Sequence, residues 1–299
     1  MHIAFVGFGE AARAFQQSLG AHDAALSFSA YDILLDDEAT APAMREAMKR
    51  HGVAVATNHS DLREADWIVS AVTADQSLIA IKALTPHLVQ GQLVIDINSV
   101  SPGRKHESSE LVGAAGAHYL DMAVMAPVHP RGHRTPVLLA GELPGGMLDE
   151  IARLEFDFRV VGEAPGRATA IKMVRSLFVK GLEAITVETL LAAQASGCFE
   201  EIFTSLAKSY PGLGWPGFAA YEFERTLLHG KRRAAEMRES AATVAALGLN
   251  GALADEIANI QEAMGGLEAS PPAQDIASPS EAAPAIAAIL TQRLKFGQD

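Results

Sequence analysis

Short apolar runs alternate with amphipathic stretches through the first half of the chain. Ile3 to Val6, Ala25 to Tyr31, Val53 to Ala56, Trp67 to Val72 and Leu93 to Ile97 have the length and residue types of buried strands. Between them, Glu10 to Leu19, Ala41 to Arg50 and Ser77 to Val89 carry apolar residues at helical spacing. Strands alternating with helices predict right-handed crossovers and a parallel, doubly wound sheet. His118 to Met122, Val137 to Ala140 and Phe158 to Val161 predict three further strands. After residue 163 the β pattern stops. Ala168 to Ala195 reads as one long helix, followed by helices broken at Pro211 to Gly217, Gly248 and Ser270 to Pro272. The expected fold is α/β: an N-terminal doubly wound domain over 1–163 and an all-helical domain over 164–299. The Ser/Pro/Ala-rich stretch 269–284 is expected to be a loop.

One turn in this pattern carries chemistry. Gly7-Phe8-Gly9-Glu10-Ala11-Ala12 follows the first strand and opens the first helix, a G-x-G-x-x-A spacing. Gly7 allows the tight turn, Gly9 lets a pyrophosphate approach the backbone, and Ala12 allows close helix–strand packing. The helix N-terminus presents N–H groups and partial positive charge to phosphate. The first domain thus reads as a Rossmann domain. Asp32 ends the second strand, 20 residues after Ala12, where a carboxylate accepts ribose hydroxyls and repels a 2′-phosphate. No arginine follows at once, so NAD is expected, with NADP not excluded. The competing reading of Asp32 as a turn cap leaves that choice open. Val72 and Thr73, at the end of the fourth strand, are further candidate cofactor contacts.

Composition narrows the class. The chain has 299 residues, 49% hydrophobic and 20% charged, as in a globular protein of one or two domains. A formal charge of -12 argues against nucleic acid as a general partner. A single cysteine, Cys198, supplies neither an internal disulfide nor a zinc cluster. No apolar run approaches the roughly 20 residues that span a bilayer, and Met1-His2-Ile3-Ala4 enters a strand without a basic leader. A cytoplasmic protein is expected, with no membrane partner and no metal.

The long helix begins Gly166-Arg-Ala-Thr-Ala-Ile-Lys172-Met-Val-Arg175-Ser176. Lys172 and Ser176 lie four apart and share a face. A lysine among Ile171, Met173, Val174, Leu177 and Phe178 is expected to lose hydration, which lowers its pKa and suits proton transfer. Taken alone, a helical lysine is more often a solvated surface group.

With these segments in view, the chain resembles the β-hydroxyacid dehydrogenases, relatives of 3-hydroxyisobutyrate and 6-phosphogluconate dehydrogenases, over nearly its whole length. The matching places are the glycine turn, Asp96-Ile-Asn98-Ser99-Val-Ser-Pro102, Leu120-Asp121-Met-Ala-Val-Met125-Ala126-Pro127, and the Gly166 to Ser176 segment. The resemblance implies Lys172 as general acid/base and Asn98 and Ser99 beside the nicotinamide. It implies Met125, Ala126, Pro127, Ser176 and His229 as substrate contacts, and a homodimer or higher oligomer formed through the helical domain.

The departures are as informative. Met125-Ala126-Pro127 stands where the family has Ser-Gly-Gly, Ser176 replaces an asparagine, and His229 stands near a family lysine. These spellings resemble a branch with a phosphogluconate-dehydrogenase-like C-terminal domain. For His229 a capping or packing role competes with a functional one.

His129, Arg131, His133 and Arg134 form an acid-free loop, suited either to an acidic substrate group or to pairing with the protein's own acids. Arg131 and Arg175 are the candidate grips for a substrate acid. The expected activity is hydride transfer between a nicotinamide and a small hydroxy acid. An imine reductase and a non-catalytic dinucleotide sensor are the alternatives. Segments 122–141, 164–182 and 226–235 hold nine Lys/Arg and no Asp or Glu, so the acidic balance conceals basic stretches.

Overall fold

A computed structural model describes residues 1–296. The chain divides into two compact units, Met1–Met173 and Val174–Asp299. The division falls inside a helix, ten residues beyond the boundary expected from the end of the β pattern.

The first unit is built on one eight-stranded sheet: β1 (His2–Val6), β2 (Ser27–Tyr31), β3 (Ala54–Val55), β4 (Trp67–Ser70), β5 (Leu93–Asp96), β6 (His118–Val124), β7 (Val137–Ala140) and β8 (Phe158–Gly162). The spatial order is β3-β2-β1-β4-β5-β6-β7-β8. β1 to β6 pair in parallel, as the alternation predicts. β7 instead runs antiparallel to β6, with Asp121 opposite Ala140. The connection 125–136 contains no α-helix to return the chain across the sheet, so the strand folds back as a hairpin. Helices α1 (Glu10–His22), α2 (Ala41–Arg50), α3 (Ser77–Leu84), α4 (Pro102–Ala114) and α5 (Met147–Arg153) complete the unit. α3 is shorter than the pattern to Val89 predicts. Pro86 lies in the 3-10 turn Thr85–His87 that ends it.

Strand order reverses at β1: β2 and β3 lie on one side, β4 to β6 on the other. The loops after β1 and β4 therefore diverge at the carboxyl edge, the crevice where ligands bind in open α/β sheets. Ile3, Phe5, Ile68, Val94, Ile95 and Leu120 fill the core beneath it, each almost fully buried.

Helix α6 (Arg167–Ala195) starts in the first unit and continues into the second. The second unit adds α7 (Phe199–Ser209), α8 (Gly217–Ala246), α9 (Ala252–Gly265) and α10 (Pro279–Phe296). Its core gathers Val187, Leu190, Phe203, Phe223, Met264, Ile286 and Ile289. α8 and α9 touch backbone to backbone: a Cβ on Gly230 would lie 2.7 Å from Gly265 N, so neither position has room for a side chain. The expected loop 269–284 is only partly a loop. Residues 279–284 form the first turns of α10, held by buried Ala282 and Ile286, with Pro284 inside the helix. Among the described residues, no helix is long and apolar enough to cross a membrane.

Candidate active site

The glycine turn sits at the carboxyl end of β1, and its residues divide by role. Gly7 has φ +86°, and a Cβ there would lie 2.5 Å from Ala71 O and 2.8 Å from Val72 Cγ1. The start of the loop after β4 alone requires glycine at this position. Around Gly9, by contrast, nothing lies within 4 Å of a Cβ. Gly9 is the N-cap of α1 and gives its first turn no side-chain acceptor. Ala12 is fully buried, as close packing demands. Glu10 is exposed and Ala11 partly so. Phe8 turns its ring into the core beside Phe5. Its N–H donates to Asp32 Oδ2 at 2.7 Å and its carbonyl accepts from Arg13 Nε at 2.8 Å, so both main-chain groups of Phe8 already have partners.

Asp32 is buried and ties the turn to β2. Besides Phe8 N–H, it accepts Leu34 N–H on Oδ1 at 3.0 Å. A carboxylate offers about four acceptor positions, so capacity remains for hydroxyl donors. The turn-cap reading and the ribose reading are therefore compatible. The surroundings are acidic: Asp36, Asp37 and Glu38 follow, all exposed. Asp36 accepts the Tyr31 hydroxyl at 2.6 Å. Burial first, and Asp36 second, push that phenol up to about 12.

Asn98 acts through a tether. Its Oδ1 accepts Val72 N–H at 2.7 Å, and its Nδ2 donates to Ser70 Oγ at 2.9 Å and Ser77 Oγ at 3.2 Å. The buried amide thus joins the loop after β4 to the loop after β5. Arg104, which the sequence reading missed, adds a second tie by donating to Ala74 O at 3.2 Å. Its only sequence signal is a place two residues after Pro102 at a helix start. Thr73 is exposed and Ser99 half-buried at the same edge.

A second missed feature lies beneath this edge. Lys105 is fully buried, with Nζ 2.9 Å from Asp96 Oδ1 and 3.5 Å from Asp121 Oδ1. It also donates to Asp96 O at 2.7 Å. Tyr119 donates its hydroxyl to Asp96 Oδ2 at 2.6 Å. Asp121 Oδ2 accepts the N–H groups of Gly166 at 3.0 Å and Thr169 at 3.1 Å, which open α6. Thr169 Oγ1 donates to Val100 O at 2.6 Å, just past β5. The start of α6, with Lys172 in its second turn, is anchored to the carboxyl edge in this way. Gly166 and Thr169 both lie in the first unit. Lys172 itself is half-buried, next to buried Met173.

Met125 is half-buried and packs on a small cluster of Ala123, Leu138, Ala140 and Ala168. Its N–H donates to Pro136 O at 2.9 Å, while Ala126 and Pro127 are exposed. The basic loop beyond them docks on α1. His133 is buried; its backbone N–H lies 2.8 Å and its Nδ1 2.7 Å from Ser18 Oγ. Burial pushes the His133 ring down to about 4. Arg134 pairs with Glu155. Pairing with the domain's own acid thus accounts for Arg134, whereas His129 and Arg131 are exposed.

In the second unit, Ser176 is buried and accepts from Lys180 Nζ at 3.2 Å, and Lys180 pairs with Glu236 at 2.8 Å. Arg233 pairs with Glu183, which also accepts from Gln261 Nε2 at 2.8 Å. Several charges of the basic segments are therefore neutralised locally. Arg175 is exposed, and His229 is half-buried on α8.

Glu222, on α8, is buried and its Oε2 has no hydrogen-bond partner. Burial, reinforced by Glu183 and only partly offset by Arg233 and Arg225, pushes its carboxyl up to about 7. A carboxyl that binds its proton more tightly when folded stabilises below its unfolded pKa. That contribution is lost as pH rises through 7, at a cost of about 3 kcal/mol. Glu222→Gln should therefore match the wild type in thermal stability near pH 4.5 and exceed it increasingly up to pH 8. Equal melting temperatures at pH 8 would refute the assignment.

Comparison with known proteins gives the following. Residues 2–141 match the NAD binding domain of 6-phosphogluconate dehydrogenase, and residues 193–264 match a domain of unknown function, DUF1932. A conserved hypothetical protein of Sinorhizobium meliloti 1021 is 31% identical, with a TM-score of 0.71 over 98% of this chain and 96% of that one. The 3-hydroxyisobutyrate dehydrogenase of Mycobacterium tuberculosis, solved with L-serine, is 16% identical, with a TM-score of 0.69 over 97% and 98% of the two chains. An imine reductase from Myxococcus stipitatus in complex with NADP+ is 19% identical, with a TM-score of 0.54 over 88% and 94%. The last two likenesses are of fold alone.

Proposed function

The chain belongs to the β-hydroxyacid dehydrogenase family, in the branch whose helical domain carries DUF1932, and from that premise we propose an NAD-dependent dehydrogenase of a small hydroxy acid. The observation that carries the reading is the shared placement at one sheet edge. The glycine turn, Asp32, the Asn98-tethered loops and the start of α6 with Lys172 all belong to the carboxyl edge of the parallel strands.

The residues fit a dinucleotide: open space at Gly9, a helix N-terminus without a side-chain cap, and a carboxylate at the end of β2. The turn would hold the pyrophosphate and Asp32 the adenosine ribose, with Val72, Thr73 and Ser99 at the nicotinamide end. When bound, the nicotinamide supplies the hydride acceptor or donor. Lys172 takes the hydroxyl proton as the alcohol becomes a carbonyl, and returns it in reduction. Asn98 holds the two loops at a set separation. Met125, Ala126, Pro127 and Arg131 are the candidate substrate contacts of the first unit. Homodimer formation is part of the same proposal, supported by the apolar side chains Phe178, Ile185 and Leu228 left on the surface of the second unit.

NADH should bind at least tenfold more tightly than NADPH by calorimetry. Like-charge repulsion at close range is worth about 1 to 4 kcal/mol per unit charge. Steady-state NADH formation across 3-hydroxy acids and sugar acids tests the reaction. Turnover only of a carbonyl with an amine would favour the imine reductase. Tight NADH binding with no turnover of any alcohol, carbonyl or imine would favour a sensor.

A further inference from the structure

The buried lysine beneath the site has more negative than positive charge around it. Lys105 brings one positive charge to Asp96 and Asp121, both fully buried, and Tyr119 enters as a neutral donor. Asp121 faces Lys105 at 3.5 Å without a hydrogen bond from it on Oδ1. What completes the balance is α6: two N–H groups on Asp121 Oδ2 and a helix N-terminus worth about half a positive charge. The cluster is compensated only with α6 seated on it, and Lys172 lies three residues beyond Thr169.

We propose that Asp121 is the positioning residue for Lys172, its carboxylate seating the first turn of α6 at the sheet edge through Gly166 and Thr169. This rests on Lys172 as the proton-transfer group. The carboxylate is specific in the role. It accepts from two amides on one oxygen while turning the other toward an ammonium, and an amide can do only one of these. Asn at 121 would present its NH2 either to Lys105 Nζ or to the N–H groups of α6, a donor against a donor in both cases. Burial, and Asp96 beside it, raise the Asp121 carboxyl, while Lys105 and the two N–H groups favour its charged form. Losing the α6 contacts therefore removes two of the three interactions that favour the charged carboxylate. Thr169 Oγ1 to Val100 O is the second fastening of the same turn.

The test is Asp121→Asn, with Thr169→Val as a milder variant that keeps the N–H and loses the hydroxyl. Three readouts apply: hydrogen–deuterium exchange, NMR titration of 13C-methylated Lys172, and kinetics. Expected for Asp121→Asn are exchange at 168–173 at least tenfold faster, with the glycine turn within twofold of wild type. The Lys172 titration should be displaced, and kcat should fall at least tenfold with the NADH Kd unchanged. Thr169→Val should move each readout the same way by about threefold. Wild-type exchange at 168–173 with an unmoved Lys172 titration overturns the proposal, whatever happens to kcat. Faster exchange and a moved titration, in a protein that transfers hydride to no carbonyl, would uphold the seat and sink the dehydrogenase reading.

Discussion

Replacing Lys172 with alanine should lower kcat at least about 100-fold and leave NADH affinity within about twofold. Positioned acid–base groups contribute about 10² to 10⁴ in rate, because proton transfer must keep pace with hydride transfer. The separation of effects follows from placement. The nucleotide turn is at β1 and Asp32 at the end of β2, while Lys172 is on α6. Stability should barely change. Lys172 is half-buried, and alanine is the best helix former. Stopped-flow NADH binding, thermal melting and steady-state rates on one preparation separate the three quantities. Lys172→Met, which keeps the length and loses the proton, should behave as the alanine variant does. Near-wild-type turnover in either variant would remove Lys172 from the chemistry.

The two glycines of the turn should fail in different ways. Gly7→Ala places a Cβ against the Ala71 carbonyl and Val72, at a backbone conformation that side chains rarely adopt. The left-handed conformation costs about 1 to 2 kcal/mol, and overpacking costs about 1 to 3 kcal/mol more. The first unit should lose about 3 kcal/mol of stability even without cofactor. Gly9→Ala meets nothing within 4 Å and has φ -81°, so the apo protein should melt as the wild type does. NADH affinity should nonetheless fall at least tenfold, because the methyl enters the space a pyrophosphate would use. Melting curves with and without NADH read both effects. Unimpaired NADH binding by Gly9→Ala would place the pyrophosphate elsewhere.

How much of this was legible in the chain differs by element. β7 and α2 coincide with the patterns Val137 to Ala140 and Ala41 to Arg50, and the G-x-G-x-x-A turn lies where spacing placed it. Local periodicity records such features because each depends on neighbours within about a turn of chain. The antiparallel return of β7 was not legible, since alternation of elements says nothing about strand direction when no helix intervenes. The basic loop read equally as a grip for an acidic ligand or as a partner for the protein's own acids, and spacing could not show that Arg134 finds Glu155 and His133 finds Ser18, 115 residues earlier in the chain. Asn98, expected beside the nicotinamide, also tethers Ser70, Val72 and Ser77, which lie more than 20 residues earlier in the chain and which spacing could not reveal.

The sequence by itself determined the class of the protein: a strand–helix alternation, a dinucleotide turn with an acid at the end of β2, and a lysine on a long helix. Only the tertiary structure decided what holds that lysine in place. Asp96, Lys105, Asp121 and Thr169 are scattered over more than 70 residues and share no period. The physical reason is that burying charge is costly unless partners meet, and only folding shows which partners meet. The sheet brings Asp96 level with Asp121, α4 brings Lys105 beneath them, and α6 closes the cluster with its own N-terminus.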